Sequence, residues 1–502
     1  MKVVSPERKN GRVRPRTPLP GRHRLFLTVL LVAIALRVLT VMGYPPVVWF
    51  EDSFDYVGVA ERPQPYAVRP SGYPLLLWLL RPLHSFAAVA ILQHLMGLAT
   101  GVTVYALVRR RAPGARAGWA VLAAAPVLLD AYQIFFEHTV LSDVPFTFLV
   151  VTAVAVVLWS PEITPGRAAT AGLLLAAAAL TRSIGLVLLP LLAAYLLLAH
   201  LRPAPPTATR AGVRALITTL LAVTAAVVVP LGGYALWYGA WHGTPALNGG
   251  SGVWLWARTM PFADCRRISP PEEEAVLCPP QPVGSRPASP YFIWSDWSPL
   301  RRVPGHPVGT RADLFQPEID DLAGDLARRA ITAQPLDYLR LVGTDLRRTL
   351  NWRRGPVPGA VPVVYNRYVL PNVEGPLPDE VRIPGGSIGE DLLSYGRERP
   401  ATRVVEPAAG VMRAYQSFGF LPGPLFGALS AAALLMCISA FRRRAAPAGT
   451  LPLAMAFALV VGPVAVTAYD SRYWLPAIPL LCLALALTLA ERRSRSAPGD
   501  NP

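Results

Sequence analysis

Ten apolar segments of membrane-spanning length recur along the chain, and they constrain its fold more than any other feature. A helix needs about 20 apolar residues to cross the hydrocarbon core, where irregular backbone exposed to lipid is not tolerated. The sequence therefore predicts a mainly α, polytopic membrane protein with about ten transmembrane helices. The segments lie at about 25–43, 86–108, 117–135, 142–159, 168–182, 184–200, 213–238, 421–441, 449–469 and 473–490.

Composition and charge agree with a membrane protein. The 502 residues are 53% hydrophobic and 16% charged, which is too apolar for a soluble chain of this length. The net charge of +17 comes largely from short arginine runs between apolar segments, such as residues 109–111. This pattern is typical of the positive-inside rule, so we expect both termini in the cytoplasm and no nucleic-acid partner.

The apolar segments divide the chain into five parts. We expect a disordered basic cytoplasmic tail, an N-terminal membrane domain that carries an external loop, an extracytoplasmic region, a group of C-terminal membrane helices and a second cytoplasmic tail. The extracytoplasmic region is rich in proline, and its apolar spacing around Pro335 predicts two amphipathic helices. The parts are 1–24, 25–240 with the loop at 44–84, 241–416, 417–490 and 491–502.

Acidic residues follow the first apolar segment directly. Glu51 and Asp52 lie at the rim of the membrane, where low dielectric is expected to raise the pKa of a carboxyl toward the range of a general base. Asp52 can also be a simple cap of a helix that begins at Ser53 or Phe54. Both roles are open at this stage.

Further polar residues fall on the same outer face in this topology. His138 and Asp143 flank the start of one span, and Arg182 interrupts the 168–200 stretch. Asp143 either orients a substrate or caps its helix. Arg472, beside Tyr473 in the last external loop, offers a fork of donors that suits a phosphate, or else it forms a structural pair with Asp470.

Cys265 and Cys278 lie in the extracytoplasmic region, thirteen residues apart. An oxidising exterior permits a disulfide between them, and two free thiols are the alternative. No cysteine and histidine spacing typical of a zinc site occurs in the sequence. We expect no metal site and no cofactor, although the sequence leaves a divalent metal open.

Several short motifs together resemble those of the C-type superfamily of membrane glycosyltransferases, which includes protein O-mannosyltransferases and aminoarabinose transferases. Glu51-Asp52-Ser53 with Tyr56 is similar to the first-loop acidic motif, and residues 69–74 (Arg-Pro-Ser-Gly-Tyr-Pro) to the run after it. Residues 141–146, with Asp143, resemble the second acidic motif. Thr181-Arg182 resembles an internal Thr-Arg, and Arg472-Tyr473 with Pro476 and Pro479 resembles a late Arg-Tyr-x-x-Pro pattern.

The resemblance implies transfer of a sugar, with inversion, from a polyprenyl-phosphate donor to a hydroxyl of an unknown envelope glycan, lipid or protein. It also implies an extracytoplasmic active site in contact with the bilayer, and the alanine-, arginine- and proline-rich composition predicts a bacterial plasma membrane protein. Asp52 is the expected base and Asp143 the second catalytic residue. The expected substrate-binding residues are Glu51, Tyr56, Arg69, His138, Arg182, Arg472 and Tyr473.

Two other classes of function fit a polytopic chain. A lipid or precursor transporter would have charges near the middle of the membrane, but here they collect at one face. A non-catalytic envelope scaffold would differ from an enzyme only in its chemistry. Both stay as alternatives to a transferase.

Overall fold

The computed structural model of the chain describes residues 20–113, 116–200, 210–355, 368–397, 400–442 and 448–496. Most of the predicted N-terminal tail, residues 1–19, lies outside these ranges, as does the end of the C-terminal tail at 497–502. The first helix begins at Pro20, five residues before the predicted first span. Helix continues at the other end to Ser496, beyond the predicted boundary at 490.

The N-terminal part of the described chain is built from ten helices. Most are runs of alanine, leucine and valine, and local side chains fix some of their ends. Ser85 accepts a hydrogen bond from the Ala88 N–H at the start of one helix, and Thr164 does the same for Arg167 at another. The helices are α1 (Pro20–Gly43), α2 (Glu51–Glu61), α3 (Gly72–Leu80), α4 (Phe86–Arg111), α5 (Ala117–Leu129), α6 (Ala131–Glu137), α7 (Asp143–Leu158), α8 (Pro165–Thr181), α9 (Leu188–His200) and α10 (Arg210–His242).

The predicted break near Arg182 is present. Helix α8 ends at Thr181, and a 3-10 turn over Ser183–Val187 leads into α9. At Gly185, a Cβ atom would lie 2.7 Å from the backbone of Ala179, so this turn packs against α8 too closely for any side chain. The glycine therefore allows the chain to fold back at this point.

Eight helices and one strand pair follow α10 before the chain returns to long apolar helices. Pro335 separates two of the eight, α15 and α16, as the sequence predicted. The eight are α11 (Ser251–Thr259), α12 (Cys265–Ile268), α13 (Glu272–Ala275), α14 (Ser289–Trp294), α15 (Pro317–Ala333), α16 (Pro335–Arg348), α17 (Ile388–Gly396) and α18 (Ala408–Gln416). The strands are β1 (Val381–Ile383) and β2 (Gly386–Ser387), and the last three helices are α19 (Gly423–Arg442), α20 (Thr450–Val466) and α21 (Ala477–Ser496).

Four of the described helices are long and apolar enough to cross a membrane. A fifth span results if α5 and α6, which meet at a 52° bend, are counted as one. The remaining apolar helices among the described residues, such as α7 and α20, are shorter. The count of ten spans therefore stays a prediction. The four spans are His23–Gly43, Phe86–Arg111, Val213–His242 and Gly423–Phe441.

Two hydrophobic cores hold the described residues together. The larger core joins the N-terminal helices to α19, α20 and α21. The smaller core lies in the region after α10, around Trp256, Phe292 and Leu326, and it includes Val59 and Tyr66 from the loop after α1. The proline-rich region thus has a packed interior of its own, and that interior is shared with the loop that carries Asp52.

Cys265 and Cys278 form a disulfide within this region. Cys265 begins α12, and Cys278 packs at the edge of the smaller core. The bridge closes a loop of thirteen residues that contains α13. It therefore ties the acidic turn at 272–274 to the rest of the region.

Candidate functional site

Helix α2 presents the acidic motif. The helix begins at Glu51, and the Ser53 hydroxyl accepts a hydrogen bond from the Phe50 N–H at its start. Asp52 lies in the first turn and is 7% exposed. The expectation that Asp52 caps a helix starting at Ser53 or Phe54 is therefore wrong, because the helix starts one residue before Asp52 and Phe50 occupies the cap position.

Two arginines hold the Asp52 carboxylate. Arg69 Nη2 lies 2.7 Å from Oδ1, and Arg472 Nη2 lies 3.0 Å from Oδ2. Burial alone would raise the pKa of Asp52, but the charges of Arg69 and Arg472 outweigh it and lower the pKa to about 2. The expectation that this pKa would be raised toward that of a base is wrong for the free protein, since it neglected the two guanidinium groups.

Arg472 lies in the loop between α20 and α21 and is almost fully buried. Its Nε and Nη1 groups have no hydrogen-bond partner among the described residues. Its guanidinium carbon lies 5.2 Å from the centre of the Phe50 ring and 5.4 Å from that of Tyr473. A buried guanidinium with free N–H groups is costly unless a ligand satisfies it.

The predicted alternative, a pair between Arg472 and Asp470, is also present, at 3.7 Å between Arg472 Nε and Asp470 Oδ2. Asp470 also accepts two hydrogen bonds that fix its carboxylate. It accepts a hydrogen bond of 2.5 Å from the Tyr368 hydroxyl and one of 3.0 Å from the Arg472 backbone N–H. Arg472 is thus oriented by Asp470, while its Nη1 group has no partner among the described residues.

Glu51 is bound by two arginines that the sequence analysis did not identify. Arg311 Nη2 lies 3.0 Å from Glu51 Oε2, and Arg382 Nη2 lies 2.6 Å from the same atom. Arg382 also approaches Asp55, at 3.6 Å. Both arginines come from the region after α10, far from α2 in sequence, so no local spacing pointed to them.

A cavity of about 770 Å³ opens beside Asp52. It lies between α2, the loop before α21 and the region after α10, and it is lined by charged and aromatic residues. Among the predicted site residues, five line the cavity: Glu51, Asp52, Arg69, Arg472 and Tyr473. Other lining residues include Phe50, Trp254, Arg258, Tyr291, Trp294, Trp297, Arg311, Asp345, Arg382 and Asp470.

Asp143 and Arg182 form an ion pair next to the cavity without lining it. Arg182 also lies 5.6 Å from the centre of the Tyr473 ring, and this ring separates the ion pair from Arg472. Asp143 is the first residue of α7, and Ser142 is the cap. Asp143 is therefore not the cap of α7; Ser142 occupies that position, although its side chain makes no capping hydrogen bond.

Tyr56 lies next to the cavity and contacts one of its lining residues, Arg69. Its hydroxyl lies 3.1 Å from the Ser142 hydroxyl oxygen, and the Arg69 guanidinium carbon lies 5.8 Å from its ring centre. The side chain is 3% exposed and does not line the cavity. Tyr56 therefore positions Arg69 rather than reaching the cavity itself.

His138 is not part of this group. Its ring lies within hydrogen-bond distance of the Tyr44 carbonyl oxygen and of His94, at 2.8 and 3.1 Å, and it is fully buried. His94 in turn contacts Glu137, which Arg37 of α1 binds with two nitrogens at 2.7 and 2.8 Å. The contacts of His138 are those of a residue that links helices, and it does not line the cavity.

Within the described ranges, no three His, Cys, Asp or Glu side chains converge in a way that could hold a metal ion. The carboxylates that line the cavity or lie beside it are paired with arginines instead. Asp52, Glu51 and Asp55 each have at least one guanidinium within 3.6 Å. Such an arrangement favours binding of an anion over binding of a cation.

Neither a protein-family model nor a curated protein sequence matches the chain. Among solved structures, it is similar to the oligosaccharyltransferase of Archaeoglobus fulgidus in complex with zinc and sulfate, with a TM-score of 0.42 and 12% identity over 94% of this chain and 49% of that one. A complex of the same enzyme with an inhibitory peptide and a dolichol-phosphate gives a TM-score of 0.40 and 13% identity, over 95% of this chain and 52% of that one.

The S. cerevisiae protein O-mannosyltransferase complex bound to the sugar donor is also similar, with a TM-score of 0.35 and 15% identity over 49% of this chain and 36% of that one. Both enzymes are C-type glycosyltransferases, the superfamily whose motifs the sequence resembles. The chain spans about half the length of the archaeal enzyme. All three TM-scores are below 0.5, so the function proposed below rests on this chain's own residues.

Proposed function

We propose that the protein is a membrane glycosyltransferase that moves a sugar from a polyprenyl-phosphate donor to an acceptor hydroxyl, with inversion. The observation that carries the proposal is Arg472. It is a buried guanidinium at the wall of a cavity, in which Nη1 has no partner among the described residues and the adjacent Nη2 contacts the carboxylate of Asp52. A phosphate diester is an acceptor that would satisfy such a fork.

The donor phosphate binds to Nη1 of Arg472, competes with Asp52 for the adjacent Nη2, and draws Arg69 toward it. Each guanidinium that turns to the phosphate leaves Asp52 with less compensating charge. The Asp52 pKa then rises from about 2 toward its ordinary value, because burial is the opposing influence that remains. Donor binding therefore converts a neutralised carboxylate into a base.

Asp52 takes the proton of the acceptor hydroxyl, and the oxygen forms a bond to the anomeric carbon. The bond from that carbon to the phosphate oxygen breaks on the opposite side of the sugar, and its electron pair goes to the lipid phosphate. Arg472 and Arg69 stabilise the charge that develops there. General-base assistance of this kind typically contributes about 10²- to 10⁴-fold to the rate.

Asp143 and Arg182 act on this site through Tyr473. Their ion pair fixes Arg182 against the Tyr473 ring, which lies beside the Arg472 guanidinium. We assign Asp143 to orienting the bound sugar through this contact and not to proton transfer. In this mechanism Arg472 and Arg69 supply the positive charge that stabilises the departing lipid phosphate, and no step requires a metal ion.

We place the reaction at the extracytoplasmic face of a bacterial plasma membrane, with both termini in the cytoplasm. The supporting observation is the distribution of arginines. Runs such as residues 109–111 end helices at one side, whereas α2 and the region after α10 join helices at the other. The bacterial assignment follows only from the alanine-, arginine- and proline-rich composition.

Incubation of the purified protein with radiolabelled polyprenyl-phosphate sugars tests the proposal. We expect release of polyprenyl phosphate that depends on an added envelope extract as a source of acceptor, and the Asp52→Asn variant should not support it. Passage of intact labelled lipid across a vesicle membrane, without release of its phosphate, would instead identify a transporter. A protein that neither binds nor cleaves any donor would be a scaffold.

A further inference from the structure

The wall of the cavity that faces away from the membrane helices is aromatic. Trp254 of α11, Tyr291 and Trp294 of α14, and Trp297 all line it and are partly exposed. The rings support one another: Trp254 and Trp294 lie 5.9 Å apart edge to face, and Tyr291 and Trp297 lie 5.1 Å apart. The rings are thus held in place while part of each surface stays open to the cavity.

Unpaired polar groups lie among these rings. Arg258 is 1% exposed, and its Nη1 is 2.6 Å from Asp345 Oδ2, but its Nε and Nη2 have no partner among the described residues. The hydroxyl of Ser295 is also buried without a partner in that part of the chain. Arg258, Asp345 and Ser295 all line the cavity. The aromatic wall therefore combines apolar faces with fixed hydrogen-bond donors.

Arg311 connects this wall to the reacting side of the cavity. Its Nη2 is 3.0 Å from Glu51, the neighbour of Asp52, and its guanidinium carbon is 5.2 Å from the Trp294 ring centre. A ligand held on the aromatic rings would thus extend along a continuous surface toward Asp52. The two walls are parts of one cavity and not separate sites.

We propose that the acceptor is a carbohydrate and that Trp254, Trp294, Tyr291 and Trp297 form its binding site. This inference names the substrate class of the transfer proposed above and rests on it. A sugar ring has an apolar C–H face, which packs on an aromatic ring, and a polar edge, which takes directed hydrogen bonds. The C–H face of the sugar packs on Trp254 and Trp294, and its hydroxyl groups form hydrogen bonds with Arg258 and Ser295.

A peptide acceptor fits the wall less well. An extended peptide is commonly held by hydrogen bonds to the edge of a sheet. The described part of the region after α10 contains one sheet, which consists of the two short strands β1 and β2. Neither strand contributes a residue to the aromatic wall; Arg382 of β1 lines the cavity, but its side chain is paired with Glu51.

Saturation-transfer difference NMR on the full-length protein in detergent tests the proposal. The probes are a mannotetraose, an arabinotetraose and a serine- and threonine-rich decapeptide. We expect saturable binding of at least one tetrasaccharide and none of the peptide. Trp254→Ala and Trp294→Ala should each weaken that binding about tenfold, because a ring contact is lost.

Trp352→Ala is the matched control, because Trp352 lies in the same region, is 65% exposed and does not line the cavity. Its affinity for the tetrasaccharide should equal that of the unchanged protein. Trp254→Phe keeps an aromatic ring, so its affinity for the tetrasaccharide should lie within about threefold of that of the unchanged protein. This conservative variant separates a lost contact from a disturbed fold.

Binding is measured without donor, so its outcome is separable from that of the transfer reaction. Asp52→Asn should bind the tetrasaccharide normally even though it fails in transfer. Saturable binding of the decapeptide that Trp254→Ala abolishes would overturn the proposal in favour of a peptide acceptor. The proposal would also be overturned if neither tetrasaccharide bound saturably. The same holds if neither alanine variant weakened the binding.

Discussion

Asp52→Asn should separate donor binding from catalysis more sharply than any other substitution in this chain. The change keeps the size of the side chain and removes its negative charge and its basicity. Arg69 and Arg472 lose the partner that they share, although Asp55 and Asp470 still compensate them at 3.4 and 3.7 Å. We therefore expect the variant to fold.

The structure gives a scale for the effect on donor binding. The two arginines lower the Asp52 pKa from 3.8 to about 2 even though burial acts in the opposite direction. A net shift of nearly two pKa units corresponds to about 2 to 3 kcal/mol in favour of the charged carboxylate, after the opposing cost of burial. The donor phosphate must compete with the attraction between this carboxylate and the two arginines in the unchanged protein. Its removal should leave donor affinity unchanged or increase it by up to about 100-fold.

The rate of transfer should fall by at least about 100-fold, because no base remains to take the acceptor proton. Donor affinity is measured by equilibrium binding of a radiolabelled polyprenyl-phosphate sugar, and rate by single-turnover release of polyprenyl phosphate. Asp55→Asn is the matched control: Asp55 is buried on the same helix but does not line the cavity. Its rate should stay within about tenfold of the unchanged protein.

A near-normal rate for Asp52→Asn would show that Asp52 is not the base. If Asp143→Asn were inactive at the same time, the two carboxylates would have the opposite roles. Weaker donor binding by Asp52→Asn would refute the idea that Asp52 and the phosphate compete for the same arginines. Either result would contradict the proposed mechanism at a specific step.

Three other outcomes are expected. Arg472→Lys should weaken donor binding by about tenfold or more, because an ammonium group cannot offer a planar fork of donors, and wild-type affinity would favour a purely structural pair with Asp470. Reduction of the Cys265 to Cys278 disulfide should lower the free energy of unfolding by about 3 kcal/mol, as seen in denaturant melts with and without reductant. In intact cells, an impermeant maleimide should label Ser394→Cys and leave Thr164→Cys unlabelled; both positions are exposed, and the reverse pattern would invert the topology.

The half of the site that adjoins membrane helices could be predicted from the sequence. Asp52 and Arg69 lie in the loop between the first two long apolar segments, Arg472 and Tyr473 lie at the start of the last one, and the order of crossings brings these places to one face. Their meeting at one cavity follows from that order. The same reasoning found the break at Arg182, because one helix over 168–200 would be too long for the bilayer.

The other half of the site could not be predicted, because it depends on tertiary packing. Arg311, Arg382 and Trp254 lie in a region without repeats or motifs, and only the smaller core brings them against α2. The direction of the Asp52 pKa shift was also missed, because burial was foreseen but the direct contact of both guanidinium groups with the carboxylate, at 2.7 and 3.0 Å, was not. His138 shares the outer face with the site, but its ring turns inward to His94.

The ion pair between Asp52 and Arg472 joins residues 420 positions apart. Asp52 emerges from the ribosome early, whereas its partner emerges only after nearly all the other described helices have been made. Until then the carboxylate has one cation instead of two, and the arginine fork that would hold a lipid phosphate does not exist. Under the proposed mechanism, a partly inserted chain therefore has an incomplete site and does not cleave the lipid donor in the membrane around it.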